Sequence, residues 1–309
     1  MVGRSARTAG RIAYSRRVSR HVTVLTNPTA GGGRGARASE VAAARLREAG
    51  FDVRRLSGRN AEEAVDLARS CVAEGVPDLV VCGGDGMVHL AVQALAGSST
   101  SLGIIPAGTG NDVARYLGIP RRDPAAAVDV VVGSRVRTID LARVGERYFA
   151  TVLAAGFDAL VNERANAMTR PQGNLRYTVA TLAELRVFEP LHYELELDGE
   201  RCELDAMLVA VGNGPSFGGG LRITEGAEID DGWLDVVWFT PMSRWQLVRT
   251  YPRLYTGSHV RHRCYHHRRA RRVRVGSPGV VAYADGERLG SLPVTVDIAP
   301  SALRVICPR

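Results

Sequence analysis

The residues whose types and spacing could do chemistry cluster in three glycine-rich turns. They are Asn27-Pro28-Thr29-Ala30-Gly31-Gly32-Gly33, Gly83-Gly84-Asp85-Gly86 and Gly108-Thr109-Gly110-Asn111-Asp112. Glycine lets backbone amides approach an anion closely, and a helix starting just behind the turn adds unpaired N–H groups and partial positive charge. That combination holds phosphate, and the Asp85 and Asp112 carboxylates add hard oxygen donors suited to magnesium. Taken singly the signals are weak. Asp85 and Asn111 could serve only as helix N-caps. Gly31 to Ala36 fits a GxGxxA pattern too short to decide anything, and no Gly-Lys-Ser/Thr of a Walker A loop follows. Three such turns in one stretch of chain are harder to dismiss, because each removes packing side chains and raises the ordering cost.

The elements that would position these turns alternate. Apolar runs at His21–Asn27, Phe51–Leu56, Asp78–Cys82 and Leu102–Ile105 read as buried strands. Helix candidates lie between and after them, at 36–49, around 64–72, at 87–95 and at 112–117. In the second of these, Ala64, Leu67, Ala68, Cys71 and Val72 share one face. Strand–helix alternation predicts a parallel sheet with right-handed crossovers, and ligands then sit beyond the carboxyl ends of the strands, where the three turns fall. After about Thr138 the pattern changes. His192–Leu197 alternates with period two into Asp198-Gly199, a hairpin signal. Further strands are expected at 206–211, 234–239, 271–275, 280–284, 294–298 and 302–306, with one helical interlude at 177–187. The expected organisation is a basic arm over 1–20, an α/β nucleotide-binding domain over 21–137, and a β-sandwich over 138–309.

Composition bounds the function. The chain has 309 residues, enough for two domains, and 45% of them are apolar. Its longest apolar stretch, Phe149–Val161, is interrupted by Gly156 and Asp158 and falls short of the roughly 20 residues that span a bilayer. The arginine-rich start lacks the apolar run of a secretory signal. Five scattered cysteines without a CxxC pair suit a reducing cytoplasm. The net charge is +8 and every basic side chain apart from histidine is an arginine, a group that binds phosphate oxygens in pairs. The excess gathers in the arm and in Arg261–Arg274.

Taken together, Asn27 to Gly31, Gly83 to Gly86 and Gly103 to Asp112 with Arg115 resemble the diacylglycerol kinase catalytic domain family, which includes soluble bacterial diacylglycerol kinases and sphingosine and ceramide kinases. Gly212-Asn213-Gly214, Gly218-Gly219-Gly220, Asp230-Asp231-Gly232 and Asp285-Gly286-Glu287 follow in family order, so the likeness runs from about 21 to 305. It implies a Rossmann-like α/β domain similar to NAD kinases and phosphofructokinases, joined to a C-terminal β-sandwich with the active site in the cleft between them. It also implies an enzyme that uses ATP and Mg2+ to phosphorylate a lipid hydroxyl, diacylglycerol foremost, giving phosphatidic acid. By the same resemblance, Asn27, Pro28, Thr29, Ala30, Gly31, Ser57, Gly83, Gly84, Asp85, Gly86, Gly108, Thr109, Gly110, Asn111 and Arg115 would hold the nucleotide. Asp85 and Asp112 would organise catalytic magnesium, directly or through water. The resemblance also implies that the general base is Asp285 or Glu287, with Glu287 favoured, although Asp285-Gly286 is also a good hairpin turn. Asp231, with carbonyls of Glu228 and Trp233, would bind a structural magnesium.

The chain departs from the family at Met87, His89 and Leu90, where Thr, Asn and Glu are usual. His89 reads as a helix-surface histidine, a substitute polar contact being the alternative. The expected partners are the lipid substrate, an anionic membrane surface met peripherally through Arg261–Arg274, and a second copy in a homodimer. Nucleic acid is not among them, since no RNA- or DNA-binding signature is present. His262, Cys264, His266 and His267 lack zinc-site spacing. The competing functions are a kinase for a sphingoid or ceramide-type alcohol, an NAD kinase, and an inactive lipid- or nucleotide-binding regulator.

Overall fold

The computed structural model describes residues 20–27, 33–133, 135–156, 164, 168, 170, 179–180 and 189–308. The first half alternates as its apolar pattern requires: β1 (His21–Thr26), α1 (Arg34–Glu48), β2 (Asp52–Ser57), α2 (Ala61–Ala73), β3 (Asp78–Gly83), α3 (Asp85–Leu95), β4 (Ser101–Pro106), α4 (Asp112–Tyr116) and α5 (Pro124–Gly133). The strands pair in parallel in the order β2-β1-β3-β4. β3 and β4 are buried at every position, as strands covered on both faces must be. Helix α1 packs with α5, and α2 with α3. Helix α5 has no counterpart among the sequence expectations, because its Pro-Ala-Ala-Ala-Val-Asp-Val-Val-Val-Gly run lacks a polar face and is rich in β-branched valine.

The second half is antiparallel. β5 (Arg135–Val144), β6 (Arg147–Phe149) and β7 (Val152–Gly156) lead to β8 (Leu191–Leu197), β9 (Glu200–Ala206), β10 (Leu208–Gly212) and β11 (Leu234–Phe239). After β11 come helix α6 (Arg244–Thr250) and two 3-10 turns, Tyr251–Tyr255 and Ser258–Arg261. The chain then adds β12 (Tyr265–Ala270), β13 (Arg272–Gly276), β14 (Val281–Ala284), β15 (Glu287–Ser291) and β16 (Val294–Cys307). A six-stranded sheet, β12-β11-β10-β7-β14-β15, packs its inner face on β8 and β13 through Leu153, Val209, Val236, Leu195 and Val273. Its outer face carries a second apolar layer of Ala154, Leu208 and Val237, which Leu247 and Leu254 cover. This is the α/β domain plus sandwich that the sequence implied.

Two strands expected at 294–298 and 302–306 are one, β16, with a register shift between Ala299 and Leu303. Its first residues pair with β13 in the sandwich, and Arg304–Val305 run parallel to Ser101–Leu102 of β4. β5 lies along most of it and passes through position 138. The two halves are therefore stitched by shared strands. Of the helical interlude expected at 177–187, only 179 and 180 are among the described residues, and both are helical. Among the described residues no helix is long and apolar enough to cross a membrane.

Candidate active site

The second and third glycine turns touch backbone to backbone. A Cβ on Gly84 would stand 2.9 Å from the Gly108 Cα, and one on Gly108 would stand 2.5 Å from the Gly84 Cα, so neither position admits a side chain without moving the other turn. This closeness lets Asp85, at the first position of α3, reach across to α4. Its Oδ2 accepts the Asn111 N–H at 2.7 Å and its Oδ1 the Asp112 N–H at 2.6 Å. Asp85 thus caps the next helix rather than its own. Asn111, in the left-handed region at φ 54°, folds its amide back onto Gly108, accepting from its N–H at 3.1 Å and donating to its carbonyl at 2.9 Å. The third turn is closed on itself, and the N-terminus of α3 has no side-chain cap.

The sandwich supplies the third side. Asp112 Oδ2 accepts the Gly219 N–H at 2.7 Å, while its Oδ1 pairs with Arg115. Arg115 also donates to the Gly110 carbonyl at 3.1 Å. A Cβ on Gly110 would lie 2.5 Å from Asp85 Oδ2, so the four groups share a floor on which Gly110 has no room for a side chain. Burial, then the nearby Asp112 charge, pushes the Asp85 carboxyl up against the pull of its two N–H donors. Burial raises Asp112 as well, against Gly219 and Arg115.

Asp285 and Glu287, two residues apart, sit in opposite environments. The Asp285 side chain is 6% exposed and accepts from Ala150 N at 2.9 Å, Thr151 N at 2.9 Å and Thr151 Oγ1 at 2.6 Å, with His89 Nδ1 at 3.3 Å. Burial alone would raise it, but His89, Thr151 and Ala150 together hold it below the usual carboxylate range. Glu287 is exposed. A Cβ on Gly86 would come within 3.9 Å of its Oε1, which puts the Glu287 carboxylate at the opening of the second turn. Asp285 is a fixed strut, and Glu287 is the group with a free face toward solvent and toward the cradle.

His89 is not the surface histidine expected from the sequence. Its side chain is 11% exposed and is held between Asp285 and Gln93, whose amide bridges to the Tyr148 backbone at 2.6 and 3.0 Å. A position on α3 gives no sign of a partner 196 residues away, so sequence reading could not find this contact. Met87 is core, 4% exposed and packed over Gly83. Thr109 is exposed beside the cradle, Asn27 follows the last residue of β1, and Ser57 ends β2 beside it. Pro28, Thr29, Ala30 and Gly31 lie outside the described residues.

Glu228, Asp231 and Trp233 form a separate turn ahead of β11. Asp231 Oδ1 accepts its own Trp233 N–H at 3.0 Å, and its Oδ2 pairs with Arg269. Arg269 and Arg271 lie over the Trp233 ring, at 5.5 and 4.7 Å. A cavity of about 490 Å³ opens here, lined by Glu225, Glu228, Asp231, Asp235, His267 and Arg269. Among the described residues, no three His, Cys, Asp or Glu side chains converge as a ligand set. At the Asp231 turn, where the sequence implied a structural magnesium, Oδ2 is paired with Arg269, so a cation held there by Asp231 and the Glu228 and Trp233 carbonyls would compete with that guanidinium. Asp85 and Asp112 fit better as holders of a hydrated cation, since each keeps lone pairs beyond those its N–H donors use.

Residues 21–144 match the family described as diacylglycerol kinase catalytic domain, and 151–307 match the YegS C-terminal NAD kinase beta sandwich-like domain. A Mycobacterium tuberculosis protein named diacylglycerol kinase is 45% identical over 294 residues, covering 93% of this chain and 95% of that one. The chain belongs to the diacylglycerol kinase catalytic-domain family. This lipid kinase is also 31% identical, over 85% of its length and 88% of the other's, to a Pseudomonas fluorescens protein named "Probable lipid kinase YegS-like". A Bacillus anthracis crystal structure titled as a diacylglycerol kinase shares its fold at a TM-score of 0.76 and 24% identity, over 94% of this chain and 97% of that one.

Proposed function

We propose that the protein transfers the γ-phosphate of ATP to the free hydroxyl of diacylglycerol, giving phosphatidic acid and ADP, at the cytoplasmic surface of a membrane. The observation that carries this reading is the exposed Glu287 carboxylate at Gly86, beside the Asp85–Asp112 floor and the uncapped start of α3. Phosphoryl transfer needs positioning and charge neutralisation more than covalent help from the protein. The α3 amides would hold phosphate oxygens, and the paired carboxylates would hold a hydrated Mg2+. When bound, that ion offsets negative charge on the phosphates. Glu287 accepts the proton of the lipid hydroxyl as its oxygen bonds to the γ-phosphorus, and the bond to the β-phosphate oxygen breaks toward ADP. Asp285 does not compete for this role, because its lone pairs are spent on Ala150, Thr151 and His89.

The reaction is tested with labelled ATP, magnesium and separate arms of diacylglycerol, sphingosine, ceramide and NAD. Label on diacylglycerol is expected. Label on NAD alone, or on a sphingoid base in preference, overturns the acceptor assignment. Nucleotide binding without turnover in any arm favours a regulatory relative.

A further inference from the structure

Within the arginine-rich stretch 261–274, four exposed arginines already have partners on the surface of the sandwich. Arg268 is paired to Glu200 at 2.7 Å, Arg269 to Asp231, and Arg272 to Asp297 at 3.2 Å, while Arg271 lies over Trp233. One run of cations with no acidic partner among the described residues begins before this stretch and enters it. Arg244, Arg249, Arg253, Arg261 and Arg263 all belong to α6 and the segment of 3-10 turns that follows it, and all are exposed. Between Asp235 and Asp285 the chain contains no acid.

The same segment breaks the rule that large apolar groups are covered. Trp245 is 78% exposed and Tyr255 51%, and Val248 and Val260 join them, whereas the other exposed large hydrophobics among the described residues are scattered valines. Looseness does not explain this exposure. Leu247, Leu254 and Cys264 anchor the segment on the outer face of the six-stranded sheet. Arg222 N donates to the Leu254 carbonyl at 2.9 Å, and buried His259 donates from Nε2 to the Ile223 carbonyl at 3.3 Å. A capping box at Ser243 and Gln246 fixes the start of α6. A rigid element thus turns an indole, a phenol and two valines outward among five unpaired guanidiniums.

We infer that α6 and the following 3-10 turns form the face on which the protein docks to an anionic lipid bilayer, with Trp245 and Tyr255 entering the headgroup region and the five arginines meeting lipid phosphates. Trp and Tyr favour the membrane interface because one part of the ring system is apolar and the other wet. The run of guanidiniums beside them, with the neighbouring Glu225 already paired to Arg222, is complementary to an anionic leaflet. The inference rests on the lipid kinase reading and adds the place of contact. The face is also tied to the site, because the loop through Gly218–Gly220 spans the two. Gly219 N is bonded to Asp112, and Arg222, two residues after Gly220, to Leu254. Docking would bring the cradle to where the acceptor alcohol resides.

The test uses the full-length protein, its W245A variant and the double variant R249E/R253E. Each is sedimented with phosphatidylcholine vesicles with and without phosphatidylglycerol, and each is assayed on a short-chain diacylglycerol dispersed below its micellar limit. Wild type is expected to bind the anionic vesicles alone, each variant to bind them about tenfold or more weakly, and all three to unfold at the same temperature and phosphorylate the dispersed acceptor equally. Equal vesicle binding by the variants, or binding indifferent to phosphatidylglycerol, overturns the inference. So does a wild-type dimer that W245A makes monomeric with no vesicle binding by either. Failure of all three on the dispersed acceptor would instead count against the kinase reading, with the vesicle arm still deciding the docking face.

Discussion

Asp285 and Glu287 show how two carboxylates in one short turn can divide structure from chemistry. Asp285 gathers two backbone N–H groups and a hydroxyl, so Asp285→Ala leaves buried donors orphaned and is expected to cost about 3 kcal/mol in urea unfolding. Glu287→Gln should leave stability within about 0.5 kcal/mol while lowering kcat far more than it raises KM. A Glu287→Gln enzyme with wild-type kcat would remove that residue from the reaction. The Asp285 carboxyl is held below its ordinary value, so its contribution is complete above the unfolded value of about 3.9 and is lost as pH falls through the lower folded one. The stability gap between wild type and Asp285→Asn should therefore narrow below about pH 4. Sequence alone marked both residues but could not divide their roles, since the partners that fix Asp285 come from α3 and from the turn between β6 and β7. The same limit hid His89 and the Gly219 amide, whose roles exist only once distant elements meet.

At the scale of elements, alternation of apolar runs made the parallel sheet legible, and period two made the sandwich legible. The merging of the last two strands into β16 was not, because the register shift at Ala299–Leu303 looks like a turn in one dimension. Leu303, Val305 and Ile306 are essentially fully buried beside β4 and β5, so residues 21–137 alone would expose both a sheet edge and part of their core. That fragment is expected to show no cooperative thermal transition by circular dichroism, whereas the full chain shows one. The turn before β11 gives a second expectation. Because Arg269 already balances Asp231, adding or chelating magnesium without nucleotide should leave the unfolding temperature unchanged. A magnesium-dependent rise that Asp231→Asn abolishes would establish a structural metal site there.

For the whole molecule, several contacts join the halves, among them Gly219 to Asp112, His89 to Asp285, Gln93 to Tyr148, and Glu287 beside Gly86. Two shared strands run between them. Large hinge closure on the nucleotide is therefore not expected, and small-angle scattering should show the radius of gyration changing by less than about 1 Å on adding a non-hydrolysable ATP analogue. A larger contraction would mean that these contacts open in solution.

The path of β16 also bears on how the protein is made. The edge of β4 must wait for partners encoded about two hundred residues later, so during synthesis the nucleotide-binding half stays unfinished for some ten seconds or more. Over that interval the growing polypeptide presents an open strand margin of unpaired N–H and C=O groups on a largely apolar strand, and chaperone occupancy of nascent chains should peak before residues 304–307 emerge from the ribosome.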